Sequence, residues 1–540
     1  MQQRKDYKVW LPLTIAVSVI FGILVGVFTG NPFAKGNQSA QSDRKLNTIL
    51  NLISQEYIDD SVSSHDLTEM AIPLILANLD PHSSYLSARE TRDEQDGSLA
   101  GIDLSLFHRN DTIVITQVIP DGPSDKAGIM PGDKIISIND STCVGPNVDV
   151  ASVRQLLRGA RGTKVRLGIL REGSSSLLNV VITRGNIPRV SIDAYYMIDA
   201  TTGYVKMSQF LPTTHNELVN ALNSLKNKGA RRFMVDLRGN GGGNFNVAVT
   251  IANEFLPEGR LIVSTRGRYR RDNITAYSDG NGHFQDEELI VLINEFSASA
   301  SEILAGAIQD NDRGLIVGCR SFGKGLVQKV FDLPDKSTLS LSTARYYTPS
   351  GRCIQRPYSN GQSQYSNDFL DRYSNGELFS RDSIKIDKSK VFETSTGRKV
   401  YGGGGIIPDI FVARDTAGHS SYYDALNAAG LVQEFALKYA TERHERLSAI
   451  KDYKKLQRLL PSSEELLSLF AAHIASKGVT VRWHYLRQSQ DLITTAISAA
   501  ITRNIFGQNE YYSVINRNDK TIEAANKAFN KHKAAFPITQ

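Results

Sequence analysis

The sequence predicts a mixed α/β protein: a membrane-spanning helix first, then a mainly-β segment, an α/β core and a helical C-terminal region. Three observations predict it. Residues 10–30 form an apolar run without a charge. Residues 97–186 break into short β-branched runs separated by Gly and Pro turns. Residues 187–416 alternate apolar strands with helical stretches. A chain of 540 residues with 41% hydrophobic content holds enough apolar material for several buried cores. Its 42 Gly and 17 Pro are spread too thinly for a collagen or a disordered chain. The formal charge of +6, from 62 cations against 56 anions, is distributed along the chain, so nucleic acid is not an expected partner. Cys143, Cys319 and Cys353 lack Cys-x-x-Cys or Cys/His spacing, which argues against a metal centre and a disulfide framework. Free thiols are expected, with a Cys319–Cys353 bridge the one pairing left open.

Arg4, Lys5 and Lys8, against Asp6, precede the apolar run. At 1.5 Å per residue that run crosses a ~30 Å hydrocarbon core. The cations predict that residues 1–9 stay in the cytoplasm while everything after Asn31 is exported. A cleaved signal peptide is the rival reading. No Ala-x-Ala follows Phe28-Thr29-Gly30-Asn31-Pro32, however, and no cysteine there could take a lipid. An uncleaved, single-pass inner-membrane anchor with the body in the periplasm is therefore expected. Residues 36–44 read as a polar linker inside a 31–96 segment. Helices at 46–57, from the spacing of Leu46, Ile49, Leu50 and Ile53, and at 67–79 follow it, the second stopped by Asp80-Pro81.

The mainly-β segment predicts strands at 112–119, 134–139, 164–171 and 176–183 and helices at 124–127 and 150–158. Its Ala127-Gly128-Ile129-x-Pro131-Gly132-Asp133 run resembles the PDZ signature. That resemblance implies a groove in which a peptide adds as a strand and a loop of backbone N–H groups receives its terminal carboxylate. In permuted bacterial PDZ domains that loop lies near the start, which places it at Gly101-Ile102-Asp103-Leu104. Asp103 stands where the family often has a second Gly, and its carboxylate would repel a bound carboxylate.

In the core, strands are expected at 203–207, 232–237, 289–293 and 315–318, with helices at 214–226, 247–255 and up to Gln309. Two strand-to-helix loops, 238–243 and 297–301, are rich in Gly, Ser and Ala, and such turns aim N–H groups at developing negative charge. The second adds the hydroxyls of Ser297, Ser299 and Ser301. No G-x-S-x-G elbow and no nearby histidine accompanies them. Lys324 follows on a glycine-flanked turn, 25 positions after Ser299. It could take a serine proton if burial among Phe322, Leu326, Val327 and Val330 lowered its pKa. An ordinary tight turn and an exposed Gly-Lys-Gly loop fit the same residues. Gly318 to Lys324 follows a P-loop up to the lysine, but Gly325 replaces the Ser or Thr that binds Mg²⁺; 240–243 is no dinucleotide fingerprint. Helical periodicity at 422–439, 462–475, 488–505 and 519–531 suggests scaffold or oligomer contact.

Taken together, Asp236-Leu237-Arg238-Gly239-Asn240-Gly241-Gly242-Gly243, Ser297-Ala298-Ser299-Ala300-Ser301-Glu302-Ile303 and Phe322-Gly323-Lys324-Gly325-x-Val327-Gln328 resemble the C-terminal processing peptidases, or tail-specific proteases. The PDZ-like segment and Leu79-Asp80-Pro81-His82-Ser83 add to the match, which covers about 45–430. The resemblance implies a crotonase-like (ClpP/crotonase) serine-lysine core at 187–416, with a PDZ domain inserted at 97–186 and a helical region at 417–540. It implies Ser299 as nucleophile, with Ser297 and Ser301 as alternatives, Lys324 as general base and Gln328 as the residue that orients the lysine. The oxyanion hole would be the Ala300 N–H with Gly241 or Gly242, and Asp236 and Arg238 would anchor the glycine loop. The segments 345–352 and 401–409 would line a substrate channel or fix the fold. No metal or cofactor is implied. Substrates would be proteins with unstructured, often apolar, C-terminal tails, and 417–540 could serve a homo-oligomer or an adaptor. A competing class is a non-catalytic envelope scaffold that tethers partners through its PDZ domain; Ser299, Lys324 and Gln328 occurring together argue against it.

Overall fold

The computed structural model describes residues 37–531 except 60–61, 97–100, 103, 110, 120–121, 140, 146–147, 172–173, 175, 186–189 and 360. The anchor expected at 10–30 and the tail at 1–9 lie outside the described residues, as does Asp103. Among the described residues no helix is long and apolar enough to cross a membrane. The chain divides into two compact units, 1–79 and 80–540. The first contains α1 (Asn37–Glu56) and α2 (Ser64–Leu76). Helix α1 starts well before the apolar periodicity does, because the supposed linker is made of residues that tolerate helix. Helix α2 is capped by Ser63, whose Oγ accepts from the Asp66 N–H at 3.0 Å, and it ends at Leu76, with turns at 77–79 where more helix was expected.

The second unit opens with β1 (Ser84–Leu86) and α3 (Ala88–Asp96). An antiparallel sheet follows, made of β2 (Leu104–Arg109), β3 (Thr112–Val118), β4 (Lys134–Ile138), β5 (Ser141–Thr142), β6 (Lys164–Leu170) and β7 (Leu178–Thr183), in order β2-β3-β4-β6-β7 with β5 on β4. Helices α4 (Pro123–Lys126) and α5 (Val150–Leu157) accompany it, and Asp149 caps α5 by accepting from the Ala151 and Ser152 N–H groups. Alternation sends Ile113, Ile115, Ile135, Val165, Leu167 and Ile169 into one core. Strand β2 is an edge of this sheet, with α5 against it, so one side of its backbone has no partner strand within the sheet.

The α/β core contains β8 (Ile192–Met197), β9 (Thr202–Met207), α6 (Thr214–Asn227), β10 (Arg232–Asp236), α7 (Phe245–Asn253), β11 (Leu261–Gly267), β12 (Thr275–Tyr277), β13 (Glu288–Ile293), α8 (Ala300–Asp310), β14 (Leu315–Gly318), β15 (Leu326–Asp332), β16 (Thr338–Tyr347), α9 (Gln362–Ser374), the β17 (Val391–Glu393) and β18 (Lys399–Tyr401) hairpin, and β19 (Ile410–Phe411). One sheet runs β19-β14-β13-β10-β9-β8 and is parallel except for β8 against β9. The other is antiparallel, β1-β16-β11-β12 with β15 on β16.

A parallel sheet must be covered on both faces, and its strands are accordingly apolar at successive positions. Phe233, Val235, Leu289, Val291 and Ile293 meet α6, α7 and α8. Tyr204, Met234, Ile290, Leu292 and Val317 point the other way, onto Ile522, Ala525, Ala528 and Phe529 of the last helix. The helical region comprises α10 (Ser421–Ala428), α11 (Leu431–Glu442), α12 (His444–Ser448), α13 (Tyr453–Leu459), α14 (Ser463–Ser476), α15 (Trp483–Gln488), α16 (Gln490–Phe506), α17 (Gln508–Ile515) and α18 (Lys520–Lys531). Helices α10 to α16 enclose their own core around Leu456, Phe470, Ile493 and Ile497, whereas α18 belongs to the α/β sheet. Arg238 pairs with Asp519 at 2.7 Å, and Arg232 lies 5.1 Å over the Phe529 ring.

Helix α11 also meets the mainly-β domain. A Cβ on Gly132 would come within 2.9 Å of Thr441 Oγ1, and one on Gly430 within 2.8 Å of the Phe107 ring on β2. The three cysteines are free, two of them buried. Phe529→Ala removes the largest side chain that α18 puts against the sheet. We expect it to cost about 3–5 kcal/mol, seen as a lower urea midpoint by circular dichroism; an unchanged midpoint would mean that the sheet does not need this cover.

Candidate active site

Three loops converge at the C-terminal ends of the parallel strands. The first, 237–243, leaves β10. Asp236 is fully buried and accepts from the Arg238 guanidinium and, at 2.7 Å, from Tyr204 OH. Despite the desolvation that opposes it, its carboxyl is held well below the carboxylate range by Arg238 and Lys206. That grip fixes the start of the glycine run. Asn240 then knits the run to the serine loop: its Nδ2 donates to Met207 O, and its carbonyl accepts from the Ala298 N–H at 3.0 Å and from Ser301 Oγ at 2.9 Å. Gly242 has φ +102 and packs so closely on the serine loop that a Cβ would lie 2.7 Å from Ala298 O and 2.9 Å from Ala300 N.

The second loop joins β13 to α8 and separates the three serines. Ser297 is fully buried, with its Oγ donating to Leu237 O at 2.8 Å, and Ser301 is equally buried on Asn240 O. Both hydroxyls therefore serve the loop. Ser299 is only half-buried. It sits at φ 57, ψ −114, a conformation rare for a residue with a Cβ, on the sharp turn from strand to helix. The sequence lacks a G-x-S-x-G motif, yet the backbone makes the same kind of elbow.

The third loop, 319–325, carries Lys324. Glu302, one turn into α8, ties it to the serine loop: its fully buried carboxyl accepts from the N–H groups of Ser299 (2.9 Å), Gly323 (2.7 Å) and Lys324 (2.9 Å) and from Ser321 Oγ (2.5 Å). Burial pushes this carboxyl up to about 7, against the four donors. Tyr346 OH reaches Lys324 O at 2.8 Å and Ser299 O at 3.2 Å, spanning the same two residues from β16.

Burial lowers the Lys324 pKa from its ordinary value, while the Glu302 and Asp80 carboxylates pull it back up. Leu326 is buried and Phe322 and Val327 are partly so, as expected. Val330 is 63% exposed and supplies no burial, because β15 turns that position to solvent. Gln328 Nε2 donates to Ser342 Oγ at 3.2 Å, and Ser342 Oγ donates to Asp80 Oδ1 at 2.9 Å. Asp80 also accepts from the His82 and Ser83 N–H groups, fixing the segment before β1. His82 is depressed to about 4 by burial and then by the Lys324 ammonium, with Asp80 opposing, so its ring is neutral; its Nε2 meets Tyr365 OH at 2.8 Å.

The expected oxyanion donors divide. Ala300 opens α8 and its N–H has no helical partner. The Gly242 N–H donates to Asn240 Oδ1 at 2.9 Å, which removes it as a candidate; Gly241 is exposed beside it. In the mainly-β domain, Gly101 pairs with Gly185 in a two-way bridge, each N–H donating to the other's carbonyl at 3.2 Å. Its N–H is therefore engaged, Ile102 is buried, and Leu104 begins β2.

Glu302, Asn240 and Asp80 were in the quoted motifs without a role. Glu302 had a readable signal, the Ser-x-x-Glu spacing of a capping box. The links from Asn240 and Asp80 cross from one loop to another, and no local spacing encodes them.

The profile of peptidase family S41 matches residues 201–360, that of a PDZ domain 114–171, and a family of unknown function (DUF8443) 422–507. A carboxy-terminal-processing protease of Bartonella bacilliformis is 36% identical over 62% of this chain and 80% of its own length. The chain belongs to the carboxy-terminal-processing proteases of peptidase family S41. The carboxy-terminal processing protease CtpA of Bacillus subtilis is 31% identical over 64% of this chain and 74% of its own. A solved photosystem II D1 C-terminal processing protease is 25% identical, covers 69% of this chain and 93% of its own, and superposes with a TM-score of 0.35. The chain is thus a serine peptidase with a PDZ domain.

In this peptidase Gly242 is where the glycine and serine loops touch. Gly242→Ala would combine a strained φ with contacts under 3 Å, so we expect about 1–3 kcal/mol of destabilisation and a larger fractional loss of peptidase activity than of folded protein. Measuring both by thermal melt and reporter cleavage tests this; full activity would place the loop contact outside catalysis.

Proposed function

We propose that this peptidase cleaves exported polypeptides through Ser299 and Lys324. What carries the reading is the Glu302 carboxyl, which holds the backbones of both residues while burial depresses the lysine. Ser299 Oγ attacks the scissile carbonyl carbon and its proton passes to neutral Lys324 Nζ. The tetrahedral oxyanion is received by the Ala300 and Gly241 N–H groups. Collapse expels the amine, which takes the proton back from Lys324, and water, deprotonated by the same nitrogen, hydrolyses the acyl-enzyme. Gln328 acts at one remove: its amide donates to Ser342, which donates to Asp80, a carboxylate that in turn acts on the lysine through its charge.

Ser299→Ala and Lys324→Ala in the full chain are each expected to lower cleavage of an unfolded reporter with an apolar C-terminal tail by at least about a thousandfold, the scale on which such paired residues act. The pH dependence has a definite sign. A lysine depressed from its ordinary value is an active base above its pKa and is lost as acid protonates it, so activity falls on the acid side. A parent whose activity is flat or rises toward acid would overturn the assignment of Lys324, and retained cleavage by Ser299→Ala that of Ser299.

Three further parts belong to the same reading. The core is of the crotonase-like kind, which the parallel sheet followed by strand-to-helix N–H turns supports. Substrate tails add to edge strand β2, with Ile102 and Leu104 at the receiving loop, and 417–540 can also serve an oligomer or adaptor. Residues 10–30 anchor the enzyme in the inner membrane with its body in the periplasm, on the strength of the uncharged run behind Arg4, Lys5 and Lys8. Fractionation checks the anchor: the full chain should resist carbonate extraction from membranes and a chain beginning at residue 31 should not. Equal extraction of the two would remove it.

A further inference from the structure

Beside the Lys324 loop lies a cavity of about 560 Å³, within the range of ligand sites. Its wall includes Arg345, Arg356, Lys390, Tyr347, Tyr358 and Phe392 and, among the described residues, no carboxylate. Arg356 is answered internally: it pairs with Asp368 and its guanidinium stacks on the Phe322 and Tyr365 rings. Arg345 is not. It is exposed, donates to Tyr358 OH at 3.3 Å, and stands in register opposite Arg266 on β11. Like charges directly opposite in an antiparallel pair are destabilising, and among the described residues neither arginine has an acidic partner; Arg266 lies 4.4 Å over the Tyr347 ring instead. Lys390 leans over Gly403 in the same wall, half-exposed and paired at 2.8 Å with the half-exposed Asp387. The β11–β12 turn beyond Arg266 adds exposed Arg268, Arg270 and Arg271, which extend the positive field.

The cavity is joined to the catalytic loop through its own wall. Gln355 Oε1 accepts from the Gly325 N–H at 2.8 Å, and the Arg356 N–H donates to Gly323 O at 3.0 Å, so both glycines around Lys324 are held by residues of this wall. Strand β16 separates the two sites: Tyr346 points to Ser299 and Lys324, and its neighbours Arg345 and Tyr347 point to the opposite face.

We infer that this cavity is an exosite for a carboxylate of the polypeptide substrate, bound by Arg345 and Lys390. The inference rests on the reading of the chain as a protease of polypeptides. A carboxylate satisfies the uncompensated Arg345 by charge-assisted hydrogen bonding, and a peptide offers one in two places, its free C-terminus or an Asp or Glu side chain.

The test is fluorescence anisotropy on the full chain carrying Ser299→Ala, which binds without cutting. Labelled peptides differ only in Glu against Gln and in a free against an amidated C-terminus. The carboxylate-bearing peptide should bind about tenfold or more tighter at low salt, the lower end of what one charge-assisted hydrogen bond is worth, with the ratio shrinking as salt rises. In Arg345→Gln/Lys390→Gln the ratio should approach one, and Lys390→Gln alone, a surface change with little expected effect on folding, should lower it part-way. Loss of preference on amidation alone assigns the terminal carboxylate; loss on Glu→Gln alone assigns a side chain. A ratio of one in the parent, or a ratio that the double variant leaves intact and that therefore belongs to the PDZ domain, overturns the inference. Cleavage of the neutral, amidated peptide by the chain with Ser299 present separates failure of the exosite from failure of the protease reading.

Discussion

The candidate active site depends on one buried carboxyl. Glu302 collects three backbone N–H groups and a hydroxyl from two loops that are distant along the chain. Each donor would be costly to bury unpaired, and so would the carboxyl without its donors. The serine elbow and the lysine turn therefore settle together. The strain at Ser299, with its positive φ, is held by this network and by the Gly242 contact. Around it, Asn240 and Tyr346 repeat the arrangement with other atoms, each bridging two loops.

The second constraint is the two-sided parallel sheet. Helices α6, α7 and α8 follow their strands closely in sequence and cover one face. The other face waits for α18, more than two hundred residues after the strands it covers. Helices α10 to α16 form a separate core, and α11 presents Thr441, and the Gly430 that caps it, to the PDZ domain, so one helix contributes both to its own bundle and to the PDZ seat.

Much of this was legible from local pattern. The strands at 203–207, 232–237 and 315–318 and the helix at 214–226 stand within a residue or so of where apolar runs and turn residues put them, because each is a buried element with clear stops. Singling out Ser299 from Ser297 and Ser301 rested on family resemblance; the coordinates add a physical reason, since the outer two hydroxyls are tied to Leu237 and Asn240. The antiparallel strands β11, β15 and β16 were not read, their partly exposed residues lacking a continuous apolar run. Val330 was misplaced for the same reason: an apolar residue on a half-exposed strand carries no label for its face. Gly101 and Gly242 looked like free donors because a glycine-rich run does not reveal which N–H is already taken. The role of α18 was hidden because an amphipathic helix shows that it will be buried without showing against what.

That last placement bears on how the chain comes into being. A polypeptide stopped before Asp519 leaves Tyr204, Met234, Ile290 and Leu292 without the cover of α18 and Arg238 without the Asp519 carboxylate. Arg238 lies in the loop that carries the glycines against Ser299. A growing or threading chain therefore lacks the finished backing of the loop that carries Arg238 and the glycines until α18 is delivered.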